Sequence, residues 1–286
     1  MTLEFVLFDR AALIAHGNWN EPLCQLLLEL YKYNTAVIDI SVEQPCFHCD
    51  PADCLLIADC EEAVQWAKEY GIAVLGYEPD GEKRRIISGL PLIVEGFEEV
   101  DYYFLERIYQ RYHGLPWTTV ETARCILREI TPADLDDLYK LYSPSEMTRY
   151  MEGLHEKRED EETYTRAYIE NIYRFYGYGL WVVIEKETGR LIGRAGLEQR
   201  QEEGEMLLEL GYCIAADKQR EGYATEVCRG VLDYAKEALD FDRVHCFIQR
   251  ENTVSVHLAE KLGFQWERNV IQNEKEMQRY VKFLQT

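Results

Sequence analysis

The stretch KQREGYATEV, residues 218–227, holds the residues of this chain best suited to bind an anion. Gln219, Arg220, Glu221, Gly222, Tyr223, Ala224 and Thr225 lead from an apolar, strand-like segment into an unbroken helical pattern. A helix beginning just after Gly222 leaves its first amide N–H groups without intrahelical partners, and the macrodipole adds positive character at the same place. Together these suit a phosphate or pyrophosphate. Gly222 lets the backbone approach such a ligand with no Cβ between, Ala224 keeps the next position small, and Arg220 is placed to pair with the anion. The same residues also describe a helix start after a tight turn with no ligand, and the spacing alone leaves both readings open.

A second cluster is CFHCDPADC, residues 46–54, where Cys46, His48, Cys49 and Cys54 are zinc-ligand types at short spacing. A second Cys/His pair at the usual distance is missing, and Cys54 opens an apolar run. Free thiols in a loop are therefore the expectation, and no metal is assigned.

The elements that must position the 218–227 stretch belong to the second half of the chain. CILREI (125–130) reads as a strand, and Thr131, Pro132 and Asp134 open a helix. A tyrosine-rich helix fills 160–176 and ends near Gly177 and Gly179. LWVVIEK (180–186) and RLIGRAGLEQR (190–200) form a hairpin around a Thr-Gly turn, and MLLELGYCIA (206–215) is a further strand. After the helix at 224–239 come the strand RVHCFIQ (243–249), a helix from Thr253 to Leu262 and a final hairpin through RYVKFL. This order predicts mixed α/β structure, with a largely antiparallel sheet and one strand–helix–strand unit.

The first half alternates differently. LEFVLF, TAVIDI, CLLIAD, IAVLGY and LPLIVEG (90–96) read as buried strands, with amphipathic helices at 21–33, 61–71 and after residue 99. Such alternation predicts a Rossmann-like, doubly wound sheet. GLPWTTVETAR lacks periodicity, so the expected division is a domain over 1–113, a linker over 114–123 and a second domain over 124–286.

Bulk properties exclude several classes. A hydrophobic fraction of 47% with twenty tyrosines builds real cores. A formal charge of −21 disfavours a nucleic-acid surface and weakly favours a cationic substrate such as an amine. No eighteen-residue apolar run or leader-like start is present, and the nine cysteines mostly stand singly. The expectation is a cytosolic protein with reduced thiols and no membrane segment.

Taken with its surroundings, the 218–227 stretch resembles the GNAT acyl-CoA N-acyltransferase superfamily, whose pyrophosphate loop reads Gln/Arg-x-x-Gly-x-Gly/Ala. The resemblance covers roughly 124–284 and is nearest the branch that acetylates ribosomal-protein N-termini. It is carried by LREITPADLDDLYKLY, GYGLWVVIEKETGRLIGRAGL, LELGYCIAADKQREGYATEVCRGVLDYA and ENTVSVHLAEKLGF. It implies acetyl-CoA as co-substrate and a primary amine, on a small molecule or a protein N-terminus, as acceptor. It further implies that Ile214, Ala215 and Ala216 pair with the pantetheine arm and that Gln219 to Thr225 form the pyrophosphate loop. Asn252 and Ser255 would lie near the arm and its sulfur, with Lys261 in the helix end that follows. Arg220 departs from the family, many of whose members have glycine there.

Glu209, on the strand whose end would meet the cofactor, is the first candidate general base; Glu198 on the neighbouring strand is the second. A plain surface carboxylate is the alternative for Glu209. Where many members place a tyrosine as acid this chain has Asn252 and Ser255, so Ser255 is the candidate donor to the leaving sulfur. A non-catalytic CoA-sensing or scaffold protein is the rival reading. Residues 3–113 more loosely resemble haloacid-dehalogenase-type phosphatases: Asp9 and Asp59 match, but Ala11 and Ala12–Leu13 replace the second Asp and Gly-Thr. That pattern implies a phosphatase-like domain without phosphatase activity.

Overall fold

The computed structural model describes residues 2–8, 20–40, 48–78, 89–90, 92–202, 204–272 and 275–284. The chain divides into two compact units, Met1–Leu115 and Pro116–Thr286.

In the first unit the short apolar runs become β1 (Phe5–Phe8), β2 (Ala36–Asp39), β3 (Cys54–Ala58), β4 (Ala73–Tyr77) and β5 (Ile93–Val94). They pair in parallel in the order β2-β1-β3-β4-β5. This is the flavodoxin-type order of doubly wound sheets. β3 and β4 are buried at every residue, as strands of a two-sided parallel sheet must be. Helices α1 (Glu21–Lys32) and α2 (Glu61–Tyr70) cross from β1 to β2 and from β3 to β4, and α3 (Tyr102–Tyr112) follows β5. Asn20 and Asp101 cap α1 and α3, accepting from Leu23 N (3.1 Å) and Phe104 N (2.7 Å). Of the strand expected over 90–96, Ile93–Val94 alone among the described residues are in the strand. Asp59 follows β3 directly; Asp9, Ala11, Ala12 and Leu13 of the phosphatase-like pattern lie outside the described residues.

The second unit is an eight-stranded sheet flanked by helices, in the order β12-β13-β11-β10-β9-β8-β7-β6. Its elements are β6 (Thr118–Glu121), β7 (Cys125–Arg128), α4 (Leu135–Tyr142), α5 (Arg158–Tyr168), β8 (Leu180–Glu185), β9 (Leu191–Glu202), β10 (Glu205–Ile214), α6 (Tyr223–Glu237), β11 (Arg243–Gln249), α7 (Thr253–Lys261), β12 (Gln265–Gln272) and β13 (Lys275–Phe283). Every neighbouring pair is antiparallel except β10 and β11. α6 explains that exception, because a parallel pair needs a crossover. It turns Val227, Cys228, Val231, Leu232 and Ala235 inward at helical spacing, and Tyr234 meets the Trp181 ring edge-on at 5.3 Å. Among the described residues no helix is long and apolar enough to cross a membrane.

Two sequence expectations need correction. The expected linker, 114–123, contains β6, which pairs with β7 and buries Val120. Four residues are too few for an alternation to stand out, and the flanking Gly and Pro mask it. The helix expected over 160–176 is α-helical from Arg158 to Tyr168, passes through a π turn at Ile169–Tyr173 and resumes at Arg174–Tyr176. Residues five apart point about 140° from each other on a regular α-helix. The wider turn brings Tyr168 and Tyr173 to one side, ring edge to face at 5.2 Å. Leu180 N donates to Tyr168 Oη (2.8 Å), and Tyr173 Oη donates to Leu180 O. Gly179 makes room: a Cβ there would stand 2.7 Å from the Tyr173 ring.

The boundary is testable. A fragment starting at Pro116 should melt cooperatively. One starting at Arg124 loses β6 and the burial of Val120, about 2 kcal/mol, and should melt several degrees lower by calorimetry.

Candidate active site

The site grows from the junction of β10 and β11. Their ladder, among the described residues, is one pair, Glu209↔His245. Beyond it both strands continue, β10 to Ile214 and β11 to Gln249, without pairing with each other. Ala215 N donates to Ile192 O on β9 (2.8 Å), so the backbone groups of Ile214 and Tyr212 face the other edge, toward β11. An extended chain could pair there in strand-like fashion. Two of the implied contacts are already engaged: the Ala215 amide on β9, and the Ile214 carbonyl, which accepts from Gln219 Nε2 (3.1 Å).

β10 leads through Ala215–Glu221 to the start of α6. Gly222 is its N-cap at φ 87°, and the first intrahelical bond runs from Glu226 N to Gly222 O (3.0 Å). The amides of Tyr223, Ala224 and Thr225 precede that bond and have no intrahelical acceptor. A Cβ on Gly222 would meet nothing nearer than Arg124 Nη2 at 3.6 Å. Backbone conformation, rather than crowding, therefore calls for glycine here. Arg220 also adopts a positive φ, 65°, which accounts for glycine suiting that position. The free amides at the start of α6 and the neighbouring Arg220 are groups that a pyrophosphate would fit by amide supply and charge.

Side chains outside the loop fix this turn. Arg124 donates to Glu226 (2.7 Å) and to Glu221 O (3.2 Å), and stacks over Tyr223 with its guanidinium carbon 4.0 Å from the ring centre. Thr122 Oγ1 donates to the same Glu226 carboxylate at 2.7 Å. On the other side, buried Glu185 accepts from Lys218 Nζ (2.7 Å), Thr188 Oγ1 (2.6 Å) and Tyr223 Oη. Lys218, with Thr188 and Tyr223, holds the Glu185 carboxyl down at about 2.

Glu209 and Glu198 are cross-strand partners and share one sheet face. Burial pushes Glu209 up to about 7; Arg200, paired to it, opposes the rise and the facing Glu198 adds to it. Arg200 is held by the Phe247 ring, 4.5 Å from the ring centre. Burial also raises Glu198, which accepts from Tyr168 Oη at 3.3 Å. A carboxylate poised near neutrality where the ladder ends is suited to take a proton from an ammonium.

The opposite face of β10 carries Tyr212, next to α6 and α7. Asn252 serves as the N-cap of α7, its Oδ1 accepting from Ser255 N at 3.3 Å. Ser255 is half-buried beside the Tyr212 phenol. That phenol oxygen is buried and has no hydrogen-bond partner among the described residues. The structure thus brings Ser255 to Tyr212, and Glu209 to Glu198; β10 separates the two pairs. Lys261 ends α7 on the surface. Sequence reasoning misses Tyr212, Arg124 and Glu185. Tyr212 was within reach, since the alternation in LELGYCI puts it opposite Glu209.

Of the cysteine cluster, Cys46 lies outside the described residues. Cys49 and Cys54 are free thiols with sulfurs 3.2 Å apart, and burial pushes the Cys54 thiol up. Among the described residues no group of three or more His, Cys, Asp or Glu converges.

β10 and β11 part beyond their one rung, and the start of α6, with amides free of intrahelical acceptors, lies beside the opening. The profile of the Acetyltransferase (GNAT) domain matches residues 124–265. The chain is 31% identical over 154 residues to the uncharacterized N-acetyltransferase YoaA of Bacillus subtilis (strain 168), covering 52% of this chain and 83% of that one. It is 29% identical over 154 residues to the uncharacterized protein YkkB of the same organism, covering 54% and 88%. A solved structure from Bordetella pertussis, of a GnaT-family acetyltransferase, superposes with a TM-score of 0.50 at 21% identity, covering 57% of this chain and 98% of that one. That likeness is one of fold. The chain belongs to the GNAT family and is an N-acetyltransferase.

The Glu185 hub has a measurable consequence. Its folded carboxyl is more acidic than the ordinary 4.5, so its stabilisation is full above about pH 4.5 and is lost as pH falls through about 2. Glu185→Gln should lower Tm at pH 7, with the gap to wild type closing over that window in a pH series of thermal melts.

Proposed function

We propose that this chain moves the acetyl group of acetyl-CoA to a primary amine by direct attack in a ternary complex, and that the first unit takes no part in the chemistry. The observation that carries this reading is the opening between β10 and β11, with Glu209 where it begins and the start of α6 beside it. Bound acetyl-CoA supplies an activated acyl carbon and a thiol leaving group. The α6 amides and Arg220 hold the diphosphate, and the Tyr212 and Ile214 backbone groups align the arm. Glu209 accepts a proton from the acceptor ammonium, directly or through a water, as the nitrogen bonds to the acyl carbon. When the carbon–sulfur bond breaks, the Ser255 hydroxyl or the Tyr212 phenol donates to sulfur. The two proton transfers come from opposite faces of β10, so base and acid do not neutralise each other. No covalent enzyme adduct is required.

Resemblance to the ribosomal-protein branch supports a protein N-terminus among the acceptors, beside small amines. For the first unit, a doubly wound sheet with Asp59 at the end of β3, a phosphatase-like origin fits with substrate contact, regulation or assembly as its role.

Four variants test the site. Gly222→Ala forces a Cβ into the φ 87° turn, and should weaken acetyl-CoA about tenfold by calorimetry at a stability cost of about 1 kcal/mol. Unchanged affinity would remove the helix start from the binding site.

Glu209→Gln should lower kcat by about 10²–10⁴ with little change in cofactor affinity, and abolish the acidic limb of the pH–rate profile, whose midpoint is expected near the carboxyl's value of about 7. Persistence of that limb would shift the role to Glu198. Comparing Tyr212→Phe with Ser255→Ala identifies the donor: the variant with the larger kcat loss at constant affinity has lost it.

A further inference from the structure

Arg194 lies on β9 on the face shared by Glu198 and Glu209, opposite Cys213 in the ladder. The phenols of Tyr142, Tyr173 and Tyr168 and the Cys213 thiol lie within electrostatic reach of its guanidinium, which also hydrogen-bonds the Tyr142 phenol. The side chain still keeps partial contact with solvent. Its Nε is buried and finds no acceptor among the described residues. Other arginines of the sheet each meet a carboxylate: Arg128 with Asp134, Arg200 with Glu209, Arg279 with Glu202. Among the described residues none comes within ion-pair distance of Arg194.

The neighbours do not supply the missing charge. Burial holds the three phenols and the Cys213 thiol above their ordinary values, so at neutral pH they are uncharged. Glu198 feels Arg194 from beyond ion-pair distance, and its carboxylate accepts instead from Tyr168. A guanidinium cannot shed its proton, and a buried cation without a counter-ion is strongly unfavourable. Such a group is retained where a ligand completes it, and its planar fork fits a carboxylate bidentately.

On this face a single rung, Gly211 with Gly196, lies between the Glu209–Glu198 pair and Arg194–Cys213. Leu180 packs over it, its Cδ2 2.9 Å from the position a Gly211 Cβ would take, and stays partly exposed. The face therefore runs from proton acceptor, across an apolar side chain, to an unpaired cation. Four residues of strand span about 13 Å, which sets the backbone spacing of the two ends.

Resting on the acetyl-transfer reading, we propose that Arg194 is a specificity-determining residue that binds the carboxylate of the acceptor. The acceptor class is then an amine joined to a carboxylate by an apolar spacer, as in an ω-amino acid. In a chain of formal charge −21, Arg194 acts by contact rather than by long-range attraction.

The test uses the full-length protein, acetyl-CoA and unbranched ω-amino acids of increasing length, each beside its primary amide, with thiol release as readout. At the best length the acid should exceed its amide at least about tenfold in kcat/KM, through KM. Arg194→Met should bring the ratio close to one by raising KM for the acid, and Arg194→Lys should restore part of it. Equal kcat/KM for acid and amide in wild type would overturn the proposal, even if Arg194→Met did not fold. So would a ratio that survives in a folded Arg194→Met. The transfer reading fails separately, if acetyl-CoA does not bind or if neither series nor a set of diamines releases thiol. Calorimetric titration of the N-acetylated acid and amide would then decide the carboxylate site alone: tighter binding of the acid supports it, and equal binding overturns it.

Discussion

One rung, Glu209↔His245, governs the second unit. A sheet of otherwise antiparallel neighbours contains a single parallel contact, and the crossover through α6 makes it necessary. Because the strands part after that rung, the backbone groups of Tyr212 and Ile214 are released from the sheet while its interior stays paired. Local devices limit the opening: Gln219 closes on the Ile214 carbonyl and Ala215 returns to β9. The site is thus a controlled break in a hydrogen-bond ladder.

The electrostatics follow from the same place. Glu209 stands at the paired rung with its side chain only 14% exposed, and burial rather than a single neighbour lifts its carboxyl to about 7. Glu185 experiences the reverse: three donors meet it, and it is held at about 2. One carboxylate is left responsive to protons where transfer is proposed, and the other is fixed in charge where the turn must hold its shape. Arg194 extends the contrast, since among the described residues no carboxylate stands within ion-pair distance of it.

Legibility differed by the kind of information each feature needs. Gly222 and the helix after it were readable because a helix start is a local event, and the structure confirms its geometry with φ 87°. Glu209 was readable as a strand residue, but its pairing with Glu198 depends on register, which no periodicity reports. β6 escaped because four residues do not make a pattern, and the π turn because its sequence is that of an ordinary helix. Arg124, Glu185, Arg194 and Tyr212 owe their importance to partners far along the chain, such as Glu226 for Arg124 and Tyr223 for Glu185. In the first unit alternation suggested a parallel sheet, while the order of its strands emerged only in three dimensions.

The π turn also sets a length rule for the tyrosine-rich helix. Such a turn accommodates one residue more than an α-helical turn does. Tyr168 and Tyr173 grip the amide and carbonyl of Leu180 from that single turn. Deleting one residue between them would restore a regular helix and swing one ring about 100° off the sheet. Substitutions between the two rings leave the grip geometrically possible; a change in their count does not. In the lineage of this chain, the spacing Tyr-x4-Tyr is therefore the quantity to follow, more than the identity of the residues it encloses.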